Sequence, residues 1–385
     1  MTKRHKNGLD PADLSNNRDK NQIRLIIIDR EQRKVHAGGD VHIETLTEIY
    51  EKDFGIEVVR HAVSFPFKQF NGFSNIITLV VASFSPINKN YKEFYSGSIV
   101  VAPNPYPLYV ITALRISKSV NGYPVVYFHH LSLSLKFLIR RGIFRSLINY
   151  FLQMFTLSAC KILGIPIFLD HAKLYSIKGI DVFEDDDAPD RSIKSEGVIV
   201  KKEFDICYVG RFQRHKGAID IIKVANILKN RNIFVKVAIV GYVDERFKST
   251  ILKILRKKGL DDNFIFFGTV NNEAKLKVLM SSRIYVHLSY EEGWSMSVMD
   301  AAYIGIPIVA YDLQAYSYLQ GKYTSIPLGD TSGVALAIEK TISNYSDAIA
   351  LANEARAIVS AYNYPDIAKY QVKSYSEIIK KGMNR

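Results

Sequence analysis

Short apolar runs alternate with amphipathic segments along most of this 385-residue chain. Apolar runs bounded by Gly, Pro, Asn or Asp are typical of buried strands, and apolar residues at every third or fourth position are typical of helices. Strands that alternate with helices predict an α/β fold of doubly wound parallel sheets. The predicted strands lie at residues 23–29, 57–63, 76–82, 98–102, 124–128, 167–170, 173–177, 204–209, 234–241, 264–270, 284–288, 308–310 and 323–327.

Two domains are expected, because a single core rarely grows beyond about 250 residues. We predict a basic, disordered tail at residues 1–20 and a first Rossmann-like domain at residues 21–180. A polar linker at residues 181–200 leads to a second Rossmann-like domain at residues 201–362. A last helix is predicted within residues 363–385.

The composition, with 48% hydrophobic and 23% charged residues, is that of a globular protein. Two cysteines, Cys160 and Cys207, are too few for a disulfide framework and fit a reducing compartment. The first 20 residues are polar, so we expect no signal peptide. The uncharged run at residues 146–160 falls short of the roughly 20 apolar residues that a membrane span needs. These features predict a cytoplasmic location.

Positive charge is concentrated in one part of the chain, whose formal net charge is +13. Residues 61–180 contain twelve Lys and Arg against two acids, Glu93 and Asp170. The excess predicts an anionic ligand or surface for the first domain. Within it, residues 131–163 form either a core helix pair with a solvated basic face or a patch that contacts anionic membrane lipids.

Two carboxylates with seven residues between them, Glu292 and Asp300, lie in a strand–loop–helix–turn–strand segment. A helix rises about 1.5 Å per residue, so they lie on the order of 10 Å apart and are not one acid–base pair. Free amides at the helix start, at Trp294, Ser295 and Met296, favour an anion between them. The arrangement suits a nucleotide sugar, in which hydroxyl-bearing groups flank a diphosphate.

This segment resembles the GT-B fold retaining glycosyltransferases, family 4 (group 1) type. They carry Glu, seven residues and Glu, then a small-residue helix and a turn like Gly305-Ile306-Pro307. The second Glu is replaced by Asp300 here. The resemblance implies two Rossmann-like domains with an interdomain cleft, a first domain on the acceptor side, and a C-terminal helix that crosses back to it. It also implies that Glu292 and Gly293 contact the transferred sugar and its diphosphate, and that Asp300 contacts the ribose.

A basic loop precedes these motifs at Gly210-Arg211-Phe212-Gln213-Arg214-His215-Lys216-Gly217. Arg211 can form bidentate hydrogen bonds to a diphosphate, and Lys216 adds a point charge. The spacing is similar to that of the family's diphosphate site. By the same resemblance, Gly241 ends the next strand beside the donor, and Val270 borders the nucleotide base.

The first domain offers fewer candidates. Gly38 and Gly39 follow the first strand, where a Gly-Gly pair is either only a turn or a close backbone approach to a phosphate. The family has a Gly-Gly that faces the donor diphosphate and acceptor at this position. His129 and His130 follow the strand at residues 124–128, and either is a structural residue or, as in the family, lies beside the sugar. We prefer His129.

An acidic run at residues 184–187 has the Asp-x-Asp spacing of a metal clamp. Because it falls in the predicted linker, we interpret it as a solvated charge run and expect no metal ligand and no cofactor. Just before it, residues 178–181 (Lys-Gly-Ile-Asp) resemble the family's Asn-Gly-Val-Asp, which marks the crossing between domains.

The resemblance implies a metal-independent hexosyltransferase. It would transfer a sugar from a UDP-, GDP- or ADP-linked donor to a glycan or lipid-linked acceptor, with retention of configuration. Catalytic roles fall to Glu292, His129, Lys216 and Arg211. The alternative is a non-catalytic GT-B scaffold of a membrane glycosylation complex, motivated by Asp300 and the basic surface. Nucleic-acid binding is disfavoured, because the sequence contains no RNA-binding motif.

Overall fold

The computed structural model describes residues 23–30, 38–63, 87, 91–129, 131, 143–175, 177–192 and 200–384. These residues form two parallel sheets of six strands each, which confirms the predicted α/β architecture. The predicted tail at residues 1–20, the predicted strand at residues 76–82 and His130 lie outside the described residues.

The first sheet has the order β2-β1-β3-β4-β5-β6, with every pair parallel. Its strands are β1 (Arg24–Arg30), β2 (Glu57–Val63), β3 (Ile99–Ala102), β4 (Tyr123–Phe128), β5 (Ile167–Leu169) and β6 (Val182–Glu184). Apolar clusters cover both faces, so the central strands are apolar at nearly every position.

The second sheet has the order β12-β11-β10-β7-β8-β9, again with every pair parallel. Its strands are β7 (Phe204–Val209), β8 (Val237–Val240), β9 (Phe264–Gly268), β10 (Ser282–His287), β11 (Ile308–Tyr311) and β12 (Thr324–Ile326). The winding reverses between β7 and β10, which places a topological switch point at the carboxyl ends of these two strands.

Helices lie on both faces of the two sheets. They are α1 (Gly38–Phe54), α2 (Tyr91–Phe94), α3 (Pro107–Ser119), α4 (Ile143–Leu163), α5 (Ala218–Asn230), α6 (Glu245–Lys258), α7 (Asn272–Met280), α8 (Met296–Ile304), α9 (Thr331–Ser343), α10 (Tyr345–Val359) and α11 (Tyr364–Met383). Among the described residues, no helix is both long enough and apolar enough to cross a bilayer.

The last helix, α11, packs on the first domain. Ile367, Ala368, Tyr375 and Ile378 of this helix join the cluster that covers one face of the first sheet. Its buried Gln371 accepts a hydrogen bond from Tyr127 of β4 at 2.8 Å. The first domain is therefore assembled from two segments that are separated in sequence by the whole second domain.

The structure corrects the sequence interpretation at the end of the first domain. Among the described residues of the predicted strand, residues 173–175 and 177 are not in a strand; a 3₁₀ turn at Ala172–Leu174 occupies its start. The segment at residues 178–181 precedes β6, so it is not the crossing between domains. The predicted linker at residues 181–200 therefore begins with a strand of the sheet. At three residues, β6 is too short to show a periodic pattern in the sequence.

Two glycines join the carboxyl ends of β7 and β8. Gly210 and Gly241 have φ of +144° and +127°, a region that L-residues rarely adopt. A Cβ atom on Gly241 would lie 2.1 Å from the carbonyl oxygen of Gly210. The two backbones can approach this closely only because residue 241 is glycine.

We predict that Gly241→Ala lowers the free energy of unfolding by on the order of 3 kcal/mol or more, because strain and a backbone clash act together. Gly321→Ala is the matched control. It also has positive φ, at +77°, but a Cβ there meets open space, so about 1 kcal/mol is expected. Urea unfolding followed by the fluorescence of Trp294, the only tryptophan, measures both losses. Equal losses would contradict the clash.

Candidate active site

The carboxyl ends of β7 and β10 bring together the basic loop and the first predicted carboxylate. The side chain of Glu292 is 11% exposed, and its Oε2 lies 2.7 Å from Nζ of Lys216. Its Oε1 lies 2.8 Å from Nε2 of His287. Burial alone would raise the pKa of Glu292, but Lys216 and His287 hold it well below its usual range. Glu292 is therefore ionised at neutral pH.

Sequence analysis missed His287, the last residue of β10. It is 2% exposed, and its Nδ1 lies 2.9 Å from the hydroxyl of Tyr285. That hydroxyl also lies 2.9 Å from Oγ of Ser297 in the first turn of α8. Tyr285 and His287 are two residues apart, so they share one face of the sheet. Two polar side chains, two residues apart in the otherwise apolar run at residues 284–288, were the available signal.

Helix α8 begins directly after Glu292-Gly293. Ser295 is its N-cap, with φ of +66°, and Met296 is its first residue. The predicted amides therefore lie at a helix N-terminus, which favours an anion. Trp294 is buried, and its ring stacks on His171 of the first domain with centroids 4.1 Å apart. The stack fixes the start of α8 against the first domain.

Gly293 is in close contact with the first domain. A Cβ atom on it would lie 1.9 Å from the carbonyl oxygen of His129 and 2.7 Å from Oδ2 of Asp170. Any larger residue would push the two domains apart at this point. The loop that carries Glu292 therefore borders the carboxyl ends of β4 and β5 directly.

Asp300 lies in the middle of α8 and is 3% exposed. Its Oδ2 lies 2.8 Å from Nζ of Lys275, and its Oδ1 accepts a hydrogen bond from the amide of Asp190 at 2.8 Å. Asp300 and Asp190 raise the pKa of Lys275 against the opposing effect of burial. Asp300 thus anchors the segment that crosses between the domains, and its predicted ribose contact stays a prediction.

Three of the other predicted donor residues lie in the second domain and two lie in the first. Arg211 is exposed and Val270 is half-buried after β9. Gly241 ends β8, while Gly38 and Gly39 form the first turn of α1 in the first domain. These positions are compatible with their predicted roles, which stay predictions.

The acidic run at residues 184–187 is not solvated, contrary to the sequence interpretation. Asp185 and Asp187 are buried at the carboxyl end of β6. His42 of α1 lies between them, with Nε2 at 3.0 Å from Asp185 and Nδ1 at 3.4 Å from Asp187. His129 lies beside them, with its Nδ1 3.3 Å from Asp185. The addition of β6 to the sheet edge carries the run into the cleft.

We predict that Lys275→Met lowers the free energy of unfolding by on the order of 3 kcal/mol, because Asp300 would remain buried without its cation. Lys277→Met is the control on the same helix. Its partner Glu273 is exposed, and the side chains of this pair keep 71% and 65% exposure, so the urea midpoint should hardly change. A midpoint for Lys275→Met that matches the control would contradict an anchoring role for Asp300.

Comparisons with known proteins agree with this architecture. Residues 190–357 match the family model described as Glycosyl transferases group 1. The uncharacterized glycosyltransferase MJ1069 of Methanocaldococcus jannaschii is 28% identical over 201 residues, which are 51% of this chain and 49% of that protein. The chain thus spans about half the length of this curated relative.

Two solved structures are similar over most of the chain. Sucrose-phosphate synthase of Thermosynechococcus elongatus gives a TM-score of 0.72 at 15% identity, over 94% of this chain and 100% of the other. Anabaena HepE in complex with UDP-glucose gives a TM-score of 0.67 at 11% identity, over 92% and 100%. The chain therefore has the GT-B fold, and residues 190–357 are similar to group 1 glycosyltransferases.

Proposed function

We propose that this protein transfers a hexose-type sugar from a nucleotide diphosphate sugar to an acceptor hydroxyl, with retention of configuration. The observation that carries the proposal is the ionised Glu292, paired with Lys216 next to the N-terminus of α8. Lys216 and the N-terminus of α8 can bind an anion, and Glu292 beside them can accept hydrogen bonds from sugar hydroxyls. A nucleotide sugar requires both kinds of contact. The group 1 family match covers the same residues.

In the proposed reaction, the bond between the sugar C1 and the diphosphate oxygen breaks, and the oxygen keeps the electron pair. Arg211, Lys216 and the amides at Trp294, Ser295 and Met296 neutralise the leaving group. The acceptor oxygen bonds to C1 from the same face, and its proton passes to the leaving phosphate oxygen. The diphosphate site itself needs no metal ion, because these donors supply the positive charge.

The remaining contacts orient the donor. Glu292 accepts hydrogen bonds from sugar hydroxyls, and His129 contacts the sugar from the first domain. Asp300 contacts the ribose through the acceptor lone pairs of its carboxylate that Lys275 does not occupy. Gly241 and Val270 border the nucleotide, and Gly38 and Gly39 present α1 amides from across the cleft.

We expect one class among uridine, guanosine and adenosine diphosphate sugars to raise the melting temperature. Uridine is the first candidate, since the similar Anabaena HepE was solved with UDP-glucose. At 100 times the dissociation constant, a ligand adds about 2.7 kcal/mol of stability.

Arg211→Ala should weaken binding at least about 10-fold, because a charge-assisted contact to the diphosphate is lost. Arg214→Ala, in the same loop, should not, since Arg214 lies over Phe247.

The same samples distinguish an enzyme from a scaffold. Glu292→Gln should keep the melting shift and lose about 100-fold or more in donor hydrolysis and sugar transfer. Binding without turnover in the wild type would favour the non-catalytic scaffold. If no nucleotide sugar raises the melting temperature, the proposed donor site is rejected. The protein would then be interpreted as a scaffold in which Asp300 is an anchor.

We further propose that the acceptor is a lipid-linked saccharide at the inner face of the cell membrane. Helix α4 exposes Phe151, Phe155 and Ile162, at 65%, 70% and 82%. These positions are four and seven residues apart, so they share one side of the helix. The first domain also carries the basic excess of the chain. An apolar stripe on a domain with an excess of positive charge suits an anionic bilayer surface.

Vesicles of anionic and of neutral phospholipid test this surface. The double variant Phe151→Ser/Phe155→Ser should bind anionic vesicles about 10-fold more weakly than the wild type. Phe234→Ser is the control, because Phe234 is 66% exposed on the second domain. Equal sedimentation of wild type and double variant with anionic vesicles would contradict the membrane contact.

A further inference from the structure

Three neighbouring strands of the first sheet end in residues that can bind metal ions. His129 follows β4, Asp170 follows β5 and Asp185 follows β6. Nδ1 of His129 lies 3.3 Å from Oδ2 of Asp185 and 4.0 Å from Oδ1 of Asp170. One ligand atom from each residue lies within 4.8 Å of the other two. Parallel strands bring their carboxyl ends to one edge, which explains why residues distant in sequence converge here.

Two atoms of this cluster make no hydrogen bond within the described part of the chain. They are Oδ2 of Asp185 and Nε2 of His129, and both are buried. The Asp185 side chain is fully buried, and its other oxygen accepts from Nε2 of Gln371 at 2.7 Å. Nδ1 of His129 faces Asp185 Oδ2 at 3.3 Å without a well-formed hydrogen bond, and a buried carboxylate oxygen without a well-aligned donor is costly. Asp185 Oδ2 is therefore directed at a position that requires a positively charged or donating partner.

We propose that His129, Asp170 and Asp185 bind a divalent first-row metal ion. Two ligand atoms at about 2.1 Å from one ion, at right or tetrahedral angles, are about 3.0 to 3.4 Å apart, and wider angles bring them to about 4 Å. The observed separations of 3.3 and 4.0 Å fit this range. One imidazole with two carboxylates favours Zn²⁺ or Mn²⁺ over the Mg²⁺ and Ca²⁺ that all-oxygen sites select.

The surroundings of the three ligands support the same assignment. His42 and Gln371 both hold Oδ1 of Asp185, so that its Oδ2 is left for the ion. His42 is in turn placed by Asp187, which accepts a hydrogen bond from Tyr364 at 2.5 Å. Such outer contacts fix the orientation of ligating carboxylates. Helix α11 supplies two of these groups, which gives the C-terminal helix a role at the cleft.

The site borders the loop of the proposed sugar contact. Gly293 lies against Asp170 Oδ2 and the carbonyl of His129. His129 keeps 24% exposure of its side chain, so the cluster is open on that side. Water or a ligand oxygen in the cleft can complete the coordination. The site is separate from the diphosphate site of Arg211 and Lys216, and it replaces our expectation from sequence that no residue of this chain binds metal.

Metal binding by the full chain, without a polyhistidine tag and stripped by a chelator, tests the proposal. Mn²⁺ titration followed by electron paramagnetic resonance, and Zn²⁺ titration by calorimetry, should each show one saturable site. Asp185→Asn and His129→Gln should each abolish it. His42→Gln should weaken it by about 10- to 100-fold, as loss of an outer contact does. The double variant Asp261→Asn/Asp262→Asn removes two exposed acids elsewhere and should bind normally.

Circular dichroism checks that each variant is folded. If Asp185→Asn does not fold, His129→Gln decides, because the His129 side chain is partly exposed. Absence of saturable Mn²⁺ and Zn²⁺ binding at millimolar concentration would overturn the proposal. Wild-type affinity in folded His129→Gln would also overturn it, since the ion would then lie elsewhere. Neither readout depends on sugar transfer, so the result stands whatever the fate of the proposed activity.

Discussion

A carboxylate that leaves water must be met by cations or hydrogen-bond donors, or it destabilises the fold. This protein places three such groups along its cleft: Glu292, Asp300 and Asp185. Each is compensated by side chains from other elements. Lys216 and His287 hold Glu292, Lys275 holds Asp300, and His42 with Gln371 holds Asp185. Each domain therefore compensates the buried carboxylates on its own side of the cleft.

Under the proposed function, this compensation also prepares the site for an anionic ligand. In the structure, Lys216 is paired with Glu292, and its position beside the N-terminus of α8 is set before any donor arrives. A diphosphate would compete for the lysine, while sugar hydroxyls would take over part of the hydrogen bonding of Glu292. The charges of the ligand thus meet groups whose positions are already fixed, so solvent does not have to reorganise around them. This favours the stabilisation of a developing charge.

The sequence predicted the fold well because the signals are local. Strand β7 coincides with its predicted range. The contact of Lys216 with Glu292 was likewise within reach of the sequence, because both residues lie in compact motifs. The roles assigned to them and to Arg211 stay predictions. The residues that support the site could not be predicted, because their partners are distant in sequence. Gln371 and Asp185 are 186 positions apart. In the sequence, Asp185 resembles a solvated acid. Its burial is revealed only by the pairing of β6, a strand of three residues.

The return of α11 to the first domain has a consequence for synthesis on the ribosome. The second sheet and its helices form one continuous stretch, from β7 to α10, and can fold as soon as that stretch has emerged. The first sheet emerges earlier, yet α1 covers only part of one face, and the rest stays uncovered until α11 follows. The N-terminal half must therefore wait, with apolar surface exposed, while the C-terminal half completes its own core. Translation order and order of completion are reversed in this protein.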